Sequence, residues 1–376
     1  MVTKKIKVGI TGQSGFMGRH LYNFLGTKEE INRVPFEKSF FNDSKKLEAF
    51  VRNCDVIVHI AAMNRHEDAQ VIYDTNVGLT SRLIEACKST GATPKIIFSS
   101  STQEERDNLY GKSKRASRKK LEAWASTQGA KATSMLIPNV FGPFGKPFYN
   151  SVVATFCHQV VANETPKIHQ DGTLNLIYIN ELSEAFYNEI RSSEEESTKS
   201  FTVPHSATKK VSEILERLLF YKETYYDKGM VPDLSDPFEI NLFNTFTSFI
   251  PKDYFPRKFT QHADNRGAFV EIMRANTSGQ TSFSTTFPNI TRGNHYHTRK
   301  VERFAVIKGK ARIQLRKIDS DEVFNYDLDG DEPAYVDMPI WYTHNITNTG
   351  DTELITLFWI NEPYDPADPD TYFVEV

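Results

Sequence analysis

Cysteine is scarce: three in 376 residues, Cys54, Cys87 and Cys157, odd in number and far apart. That excludes a disulfide framework and reads as reduced core residues of a cytosolic protein. No stretch of about 18 consecutive apolar residues occurs, so no membrane span is expected. Met1-Val-Thr-Lys-Lys5 runs straight into a short strand without the apolar region of a signal peptide. Charge of one sign is lacking too: 45 basic against 48 acidic residues, net −3, with a pI near 6.4. Nothing there suggests nucleic acid as a partner. Repeats and low-complexity tracts are absent. What remains is a cytoplasmic chain long enough for two domains, each with its own core.

The first motif follows Ile6–Ile10, which reads as a strand. Thr11-Gly12-Gln13-Ser14-Gly15-Phe16-Met17-Gly18 then leads into a helix through Leu25. Strand, Gly-x-x-Gly-x-x-Gly and helix form the dinucleotide arrangement. The glycines allow a tight turn and close backbone approach, and the helix N-terminus offers N–H groups to a pyrophosphate. Gly12, Gly15, Phe16, Met17 and Gly18 are therefore cofactor-binding candidates. After the second strand, Glu37 and Lys38 pull opposite ways: an acid suits the ribose diol of NAD, a cation the 2′-phosphate of NADP. The reading leans to NADPH through Lys38, with Arg33 and Arg19 as further candidates.

Asp55 to Ala62 has the apolar run of a buried parallel strand, in which His59 reads as a packed or hydrogen-bonded core histidine. Lys95 to Ser101 is a strand ending in hydroxyls, at the end where open α/β sheets bind ligands. In Tyr110-Gly-Lys-Ser-Lys114, Tyr110 and Lys114 share a helix face, and a nearby ammonium is expected to lower the phenol pKa. The basic run Lys112–Lys120 reads as the solvated face of that helix, with Leu121 and Trp124 continuing the buried one.

The glycine loop, the serine-ended strand and Tyr-x3-Lys resemble the extended short-chain dehydrogenase/reductase family, whose members mostly act on nucleotide sugars. The resemblance implies a Rossmann-like doubly wound parallel sheet. By position it makes Tyr110 the general acid, Lys114 its electrostatic partner and ribose ligand, and Ser101 the hydroxyl on the carbonyl, with Ser100 or Thr102 able to take that place. It adds Ala61 and Asn76 on the cofactor side and Asn139 on the substrate's phosphate side, with Leu136 where the family usually has Arg. Lys146, Tyr149, Asn150 and Ser151, ahead of a helix at Val152–Val161, are diphosphate or base contacts in that reading.

Thr208 to Tyr226 has the spacing of a packing helix, and Pro232–Pro256 reads as the junction. The division is 1–245 for the reductase domain and 246–376 for the second. In Arg292-Gly-Asn-His-Tyr-His297, His295 and His297 share a strand face, while Glu302 must arrive from the next strand. With His344 they suit a borderline divalent metal such as zinc, with an open position.

His-x-His-x4-Glu-x6-Gly followed by Pro339-x4-His344 resembles the cupin superfamily, whose fold is an all-β jelly-roll barrel. The resemblance makes His295, His297, Glu302 and His344 metal ligands; Trp341 stands where the second motif usually has glycine. Asp264–Glu271 and Thr291–Tyr296 also resemble the dTDP-4-dehydrorhamnose 3,5-epimerases, which would make His295 the base. Ligand and base both stay open.

The two domains in this order resemble the bifunctional CapF-type enzymes of bacterial capsule synthesis. That implies a UDP-sugar substrate, C3 epimerisation in the barrel, NADPH-dependent C4 reduction beside Tyr110, and a homodimer. The other reading is a plain reductase whose barrel is a zinc-stabilised dimerisation module.

Overall fold

Ile6–Thr11, apolar and buried over its last four residues, forms β1, and the glycine loop behind it turns into α1 (Phe16–Gly26). The computed structural model describes residues 5–193, 196–264, 267–273, 275, 279–362 and 364–376. Strand and helix alternate next through β2 (Ile31–Val34), α2 (Ser44–Arg52), β3 (Val56–His59), α3 (Ala69–Thr90), β4 (Lys95–Ser101), α4 (Leu109–Gln128) and β5 (Ala132–Ile137). Then come β6 (Asn139–Phe141), α5 (Val152–Val161), β7 (Thr173–Tyr178), α6 (Ile179–Arg191), β8 (Thr198–Thr202) and β9 (Ala207–Lys210).

Six strands make one parallel sheet in the order β2-β1-β3-β4-β5-β8. Parallel neighbours need crossover connections, and helices supply them on both faces, so β3 is buried throughout. This is a Rossmann-like sheet, and its strand order reverses beside β1, which puts the glycine loop at the ligand crevice. A smaller sheet joins β6, β7 and β9. The core includes Phe36, Phe50, Ile57, Leu83, Phe98, Leu121 and Trp124. Phe36 meets Phe40, Phe41 and Phe50 edge to face at centroid distances of 5.3, 5.3 and 4.8 Å. His59 is wholly buried, its Nδ1 2.6 Å from Thr11 Oγ1 and its Nε2 3.1 Å from Thr80 Oγ1, so the core reading of this histidine holds.

The helix expected over 208–226 differs. Ala207–Lys210 pairs antiparallel with β7 as β9, and the helix proper, α7, begins at Val211 and ends at Tyr221. A wider π turn, Lys222–Asp227, follows. Helix α8 (Pro237–Thr247) starts as its sequence dictates: Asp236 accepts from the N–H groups of Phe238 and Glu239 at 2.9 and 3.1 Å, and Pro237 occupies the first turn. Chain contacts divide the molecule into two units, 1–155 with 168–211 and 156–167 with 212–376. The stretch 212–245 thus groups with the C-terminal strands, whereas the sequence reading draws its single boundary after 245.

Apart from the end of α5 and a 3-10 turn at Lys252–Tyr254, the rest of the second unit is mostly strand. Its strands are β10 (Arg257–Lys258), β11 (Gln261–Asp264), β12 (Gly267–Val270), β13 (Gln280–Thr286), β14 (Thr291–Tyr296), β15 (Glu302–Lys308) and β16 (Lys310–Lys317). The remainder are β17 (Val323–Asp329), β18 (Ala334–Met338), β19 (Tyr342–Asn348), β20 (Leu354–Ile360) and β21 (Tyr372–Phe373). Two five-stranded antiparallel sheets result, ordered β10-β18-β15-β20-β13 and β17-β16-β19-β14-β21, and β11 pairs antiparallel with β12. Val306, Val336 and Met338 from the first and Ile313, Leu328 and Ile346 from the second share one apolar cluster. In the 264–271 motif, Asn265 and Arg266 lie outside the described residues. Among the described residues no helix is long and apolar enough to cross a membrane.

Candidate functional site

The glycine loop is built for close backbone approach. Gly12 has φ +77°, and a Cβ there would meet the backbone of Ala61 at 2.8 Å, so the loop lies against the end of β3. A Cβ on Gly18 would fall 2.2 Å from Gly12 O. Helix α1 is capped by Gly15 with no side-chain hydrogen bond, and no acidic residue stands in its first turn. Its leading N–H groups, among them those of Phe16 and Met17, therefore suit a dinucleotide's pyrophosphate. Asn76 does not reach outward: its amide clasps Met63, accepting from the N–H at 2.7 Å and donating to the carbonyl at 3.0 Å, and donates to Ser113 Oγ at 3.0 Å. It fixes the loop after β3 against α4. Lys38 is exposed at the start of a short 3-10 helix, where a cation can meet a ribose phosphate. Arg33 is committed elsewhere, donating to Tyr22 O at 2.9 Å and stacking on the Tyr22 ring at 4.2 Å.

Ser101 ends β4, and Tyr110 and Lys114 sit one turn apart on α4, whose N-cap Asn108 accepts from Gly111 N at 2.7 Å. Gly111 lets α4 press on the turn 102–105, since a Cβ would lie 2.0 Å from Gln103 O. The Lys114 Nζ donates to Ser99 O at 2.8 Å and lies 5.8 Å from the Tyr110 ring centre. Burial pushes Lys114 down to about 8, with Glu104 opposing. Tyr110 corrects the sequence reading. Burial, with the Tyr149 phenol adding to it, pushes its pKa up to about 12 rather than down. A phenol held neutral is a loaded proton donor.

Around Tyr149 the loop 144–150 carries positive φ at Phe144 and Phe148. It is pinned by Arg65, which donates to Phe148 O at 2.8 Å, and by Thr155, whose hydroxyl accepts from Phe148 N at 3.0 Å. Lys146 and Asn150 are exposed on this loop, with Lys146 Nζ 5.4 Å from the Tyr149 ring centre. Asn139 is exposed at the start of β6, donating to Asn175 O at 3.3 Å. Lys112, Lys119 and Lys120 do form a solvated face, but Arg118 turns inward to the buried Glu104 at 2.9 Å, and Glu104 in turn accepts from Ser100 Oγ. Sequence reasoning missed Arg65 and Glu104, because neither belongs to a local motif.

In the second unit, His295, His297, Glu302 and His344 offer ligand atoms that all lie within 4.8 Å of one another. The construction is local and cross-strand together. Gly293 (φ +102°) and Asn294 (φ 60°) make a bulge in β14 that sets His295 opposite His344 on β19. Glu302 comes from the other sheet, on β15. His297 Nδ1 is 2.6 Å from the Asp370 carbonyl and His344 Nδ1 is 3.2 Å from that of Tyr342, so both must be N–H donors there. That leaves both Nε2 atoms as acceptors, 3.3 and 3.1 Å from Glu302 Oε2, another acceptor. All three atoms are buried without a hydrogen-bond partner. Acceptors converging on acceptors call for a cation between them, and the nitrogen-and-oxygen donor set suits zinc.

Charges around the cluster follow from the same crowding. Burial and the two neighbouring imidazoles push His295 down to about 4, so it is neutral near pH 7. Burial opposes the charge on His297, but the Glu302 carboxylate outweighs it and raises that imidazole. Glu302, despite burial, is held well below the usual carboxylate range by the two imidazoles that crowd its carboxylate. Trp341, at the position where the cupin motif usually has glycine, adopts φ 62° itself and stacks on Tyr296 at 5.6 Å. Its backbone N–H donates to His297 O at 2.8 Å, which holds the turn before His344 in place.

Residues 8–203 match the NAD-dependent epimerase/dehydratase family, and residues 262–372 match the polysaccharide biosynthesis C-terminal domain. The UDP-2-acetamido-2,6-beta-L-arabino-hexul-4-ose reductase of Pseudomonas aeruginosa is 34% identical over 372 residues, 99% of each chain. The crystal structure of the capsular polysaccharide assembling protein CapF from Staphylococcus aureus aligns with a TM-score of 0.62 at 33% identity, covering 98% of this chain and 100% of that one. The spore coat polysaccharide biosynthesis protein SpsL of Bacillus subtilis is 27% identical over 124 residues, 30% of this chain and 82% of its own length.

Proposed function

Because the chain belongs to the CapF family, an NAD-dependent epimerase/dehydratase domain ahead of a polysaccharide biosynthesis C-terminal domain, we propose that it is a bifunctional UDP-sugar enzyme. The substrate in this reading is a UDP-linked 2-acetamido-2,6-dideoxy-hexos-4-ulose. Its C3 is inverted in the C-terminal, cupin-type sheets and its C4 ketone is reduced in the N-terminal unit. The product is UDP-2-acetamido-2,6-dideoxy-L-talose, on the route to UDP-N-acetyl-L-fucosamine for a capsule or O-antigen. A cytoplasmic homodimer is part of the same reading, and the exposed apolar rings of Phe283 and Phe287 on and beside the edge strand β13 support it.

The observation that carries the reading is the convergence of His295, His297, Glu302 and His344 in one unit while Tyr110 and Lys114 meet in the other. A carbon next to a ketone carries an acidic hydrogen. A neutral imidazole, His295, can take the C3 proton, and reprotonation on the opposite face inverts the centre. In the reductase unit Ser101 orients the C4 oxygen, and Tyr110 delivers a proton to it from its neutral phenol. Lys114 restrains the phenol and meets the ribose. Gly12, Gly15, Phe16, Met17, Gly18, Ala61 and Lys38 hold NADPH, with Asn76 positioning the loop they face. Asn139, Lys146 and Asn150 take the diphosphate side of the substrate. When bound, the nicotinamide supplies the hydride and zinc supplies Lewis acidity beside the ketone.

The test is product analysis in D2O with NADPH and the candidate 4-keto sugar. Deuterium at C3 of the wild-type product, lost in Glu302→Gln while NADPH oxidation persists, is the expected outcome. A product free of deuterium at C3 removes the epimerase half and leaves a reductase with a structural C-terminal unit.

A further inference from the structure

One residue of the C-terminal segment holds His297 and the turn that leads from it toward Glu302. Asp370 is 4% exposed and adopts φ 43°, a left-handed conformation uncommon outside glycine, asparagine and aspartate. Its carbonyl receives the His297 Nδ1 hydrogen at 2.6 Å. Its carboxylate caps the turn between His297 and Glu302, accepting from Thr298 N at 3.1 Å, Arg299 N at 3.0 Å, Lys300 N at 3.2 Å and Thr298 Oγ1 at 2.7 Å. Lys300 Nζ secures the preceding carbonyl, Pro369 O, at 2.9 Å. The chain then runs on as β21 against β14, placing Phe373 opposite His295, with Val374 N donating to Asn294 O at 2.9 Å.

We propose that Asp370 is the positioning residue of the metal cluster: its carbonyl fixes the His297 tautomer while its carboxylate fixes the turn that sets Glu302 against His297. The proposal rests on the reading of His297, Glu302 and His344 as metal ligands. Three N–H groups of a turn are bare unless something accepts from them, and a carboxylate on a distant segment accepts from all three at once. An imidazole whose Nδ1 is tied to a carbonyl presents its Nε2 lone pair in one direction only. Tail and turn together therefore set the donor geometry.

The test uses full-length protein stripped with a chelator and loaded with cobalt(II), with Asp370→Asn and Asp370→Gly as variants. Both tolerate positive φ and keep the carbonyl; Gly deletes the carboxylate and Asn removes its charge. The expected result is cobalt affinity lowered roughly 10- to 100-fold in chelator competition. The visible d–d bands should shift with it, and melting of the metal-free protein should change less than that of the loaded protein. Unchanged affinity and spectrum overturn the proposal, as does an equal loss of melting temperature with and without metal, which marks a purely structural role. If wild-type protein takes up no cobalt, the metal-site reading fails and the proposal falls with it.

Discussion

The Arg303 guanidinium and the Asp337 carboxylate meet side-on across β15 and β18, at 2.7 Å from Nε and 2.9 Å from Nη2, with both side chains buried. Tyr225 donates to the same carboxylate, Arg303 donates to Gly229 O at 3.0 Å, and its guanidinium lies 3.9 Å from the Tyr335 ring centre. The pair thus ties the π turn after α7 to the sheet. Arg303→Met leaves a buried carboxylate without its counter-charge and is expected to cost about 3–5 kcal/mol. The double variant Arg303→Met/Asp337→Leu should lose less than the single one. Urea denaturation checks this, and a double loss equal to the sum of two singles contradicts it.

Lys114 gives opposite pH trends for stability and for activity. With its pKa down at about 8 in the native protein, it gives up its proton there before the unfolded chain does near 10.4. The unfolded state binds more protons between those values, so stability rises with pH through that window. A reductase reaction that uses the ammonium, as proposed above, falls over its lower edge. A pH profile of NADPH oxidation, set beside denaturation midpoints at the same pH values, reads both. A profile flat to pH 10 removes Lys114 from the reaction.

Gly18→Ala places a methyl 2.2 Å from the Gly12 carbonyl. The neighbour is backbone and cannot step aside, so the loop must open at a cost of about 1–3 kcal/mol. NADPH affinity, followed by nucleotide fluorescence, is expected to fall about tenfold for each 1.4 kcal/mol of that cost. Affinity equal to wild type shows that the loop does not hold the nucleotide.

Trp341 combines a large buried ring with a left-handed backbone. Trp341→Ala loses the ring and keeps the strain, at about 3–5 kcal/mol. Trp341→Gly loses the same ring but sheds the strain, so it should be the more stable of the two by roughly 1 kcal/mol. The usual order, alanine above glycine, would show that φ at 341 carries no cost.

What the sequence disclosed depended on range. The glycine loop, Tyr110–Lys114 and His295–His297 are each confined to a few residues, and strand parity or helix pitch alone puts their side chains on one face. Glu302 and His344 were within reach because a motif spans them. Asp370 lies 73 residues from His297, and Asp337 lies 34 from Arg303; no local period links such pairs. Burial escaped for the same reason. The ammonium beside Tyr110 could be read from spacing, but the burial of the phenol and the Tyr149 beside it, which together raise its pKa, depend on residues distant in the chain. Apolar spacing starts helix α7 too early because Thr208-Lys-Lys also fits an edge strand, and only the partner β7 decides between them.

Glu302 belongs to one five-stranded sheet, while His295 and His344 lie on strands of the other. A divalent ion caught among them would rivet the two layers together rather than ride on a single hairpin. Stripping it should then loosen amides of β15 and β19 in concert, so that deuterium uptake in both rises by a similar factor.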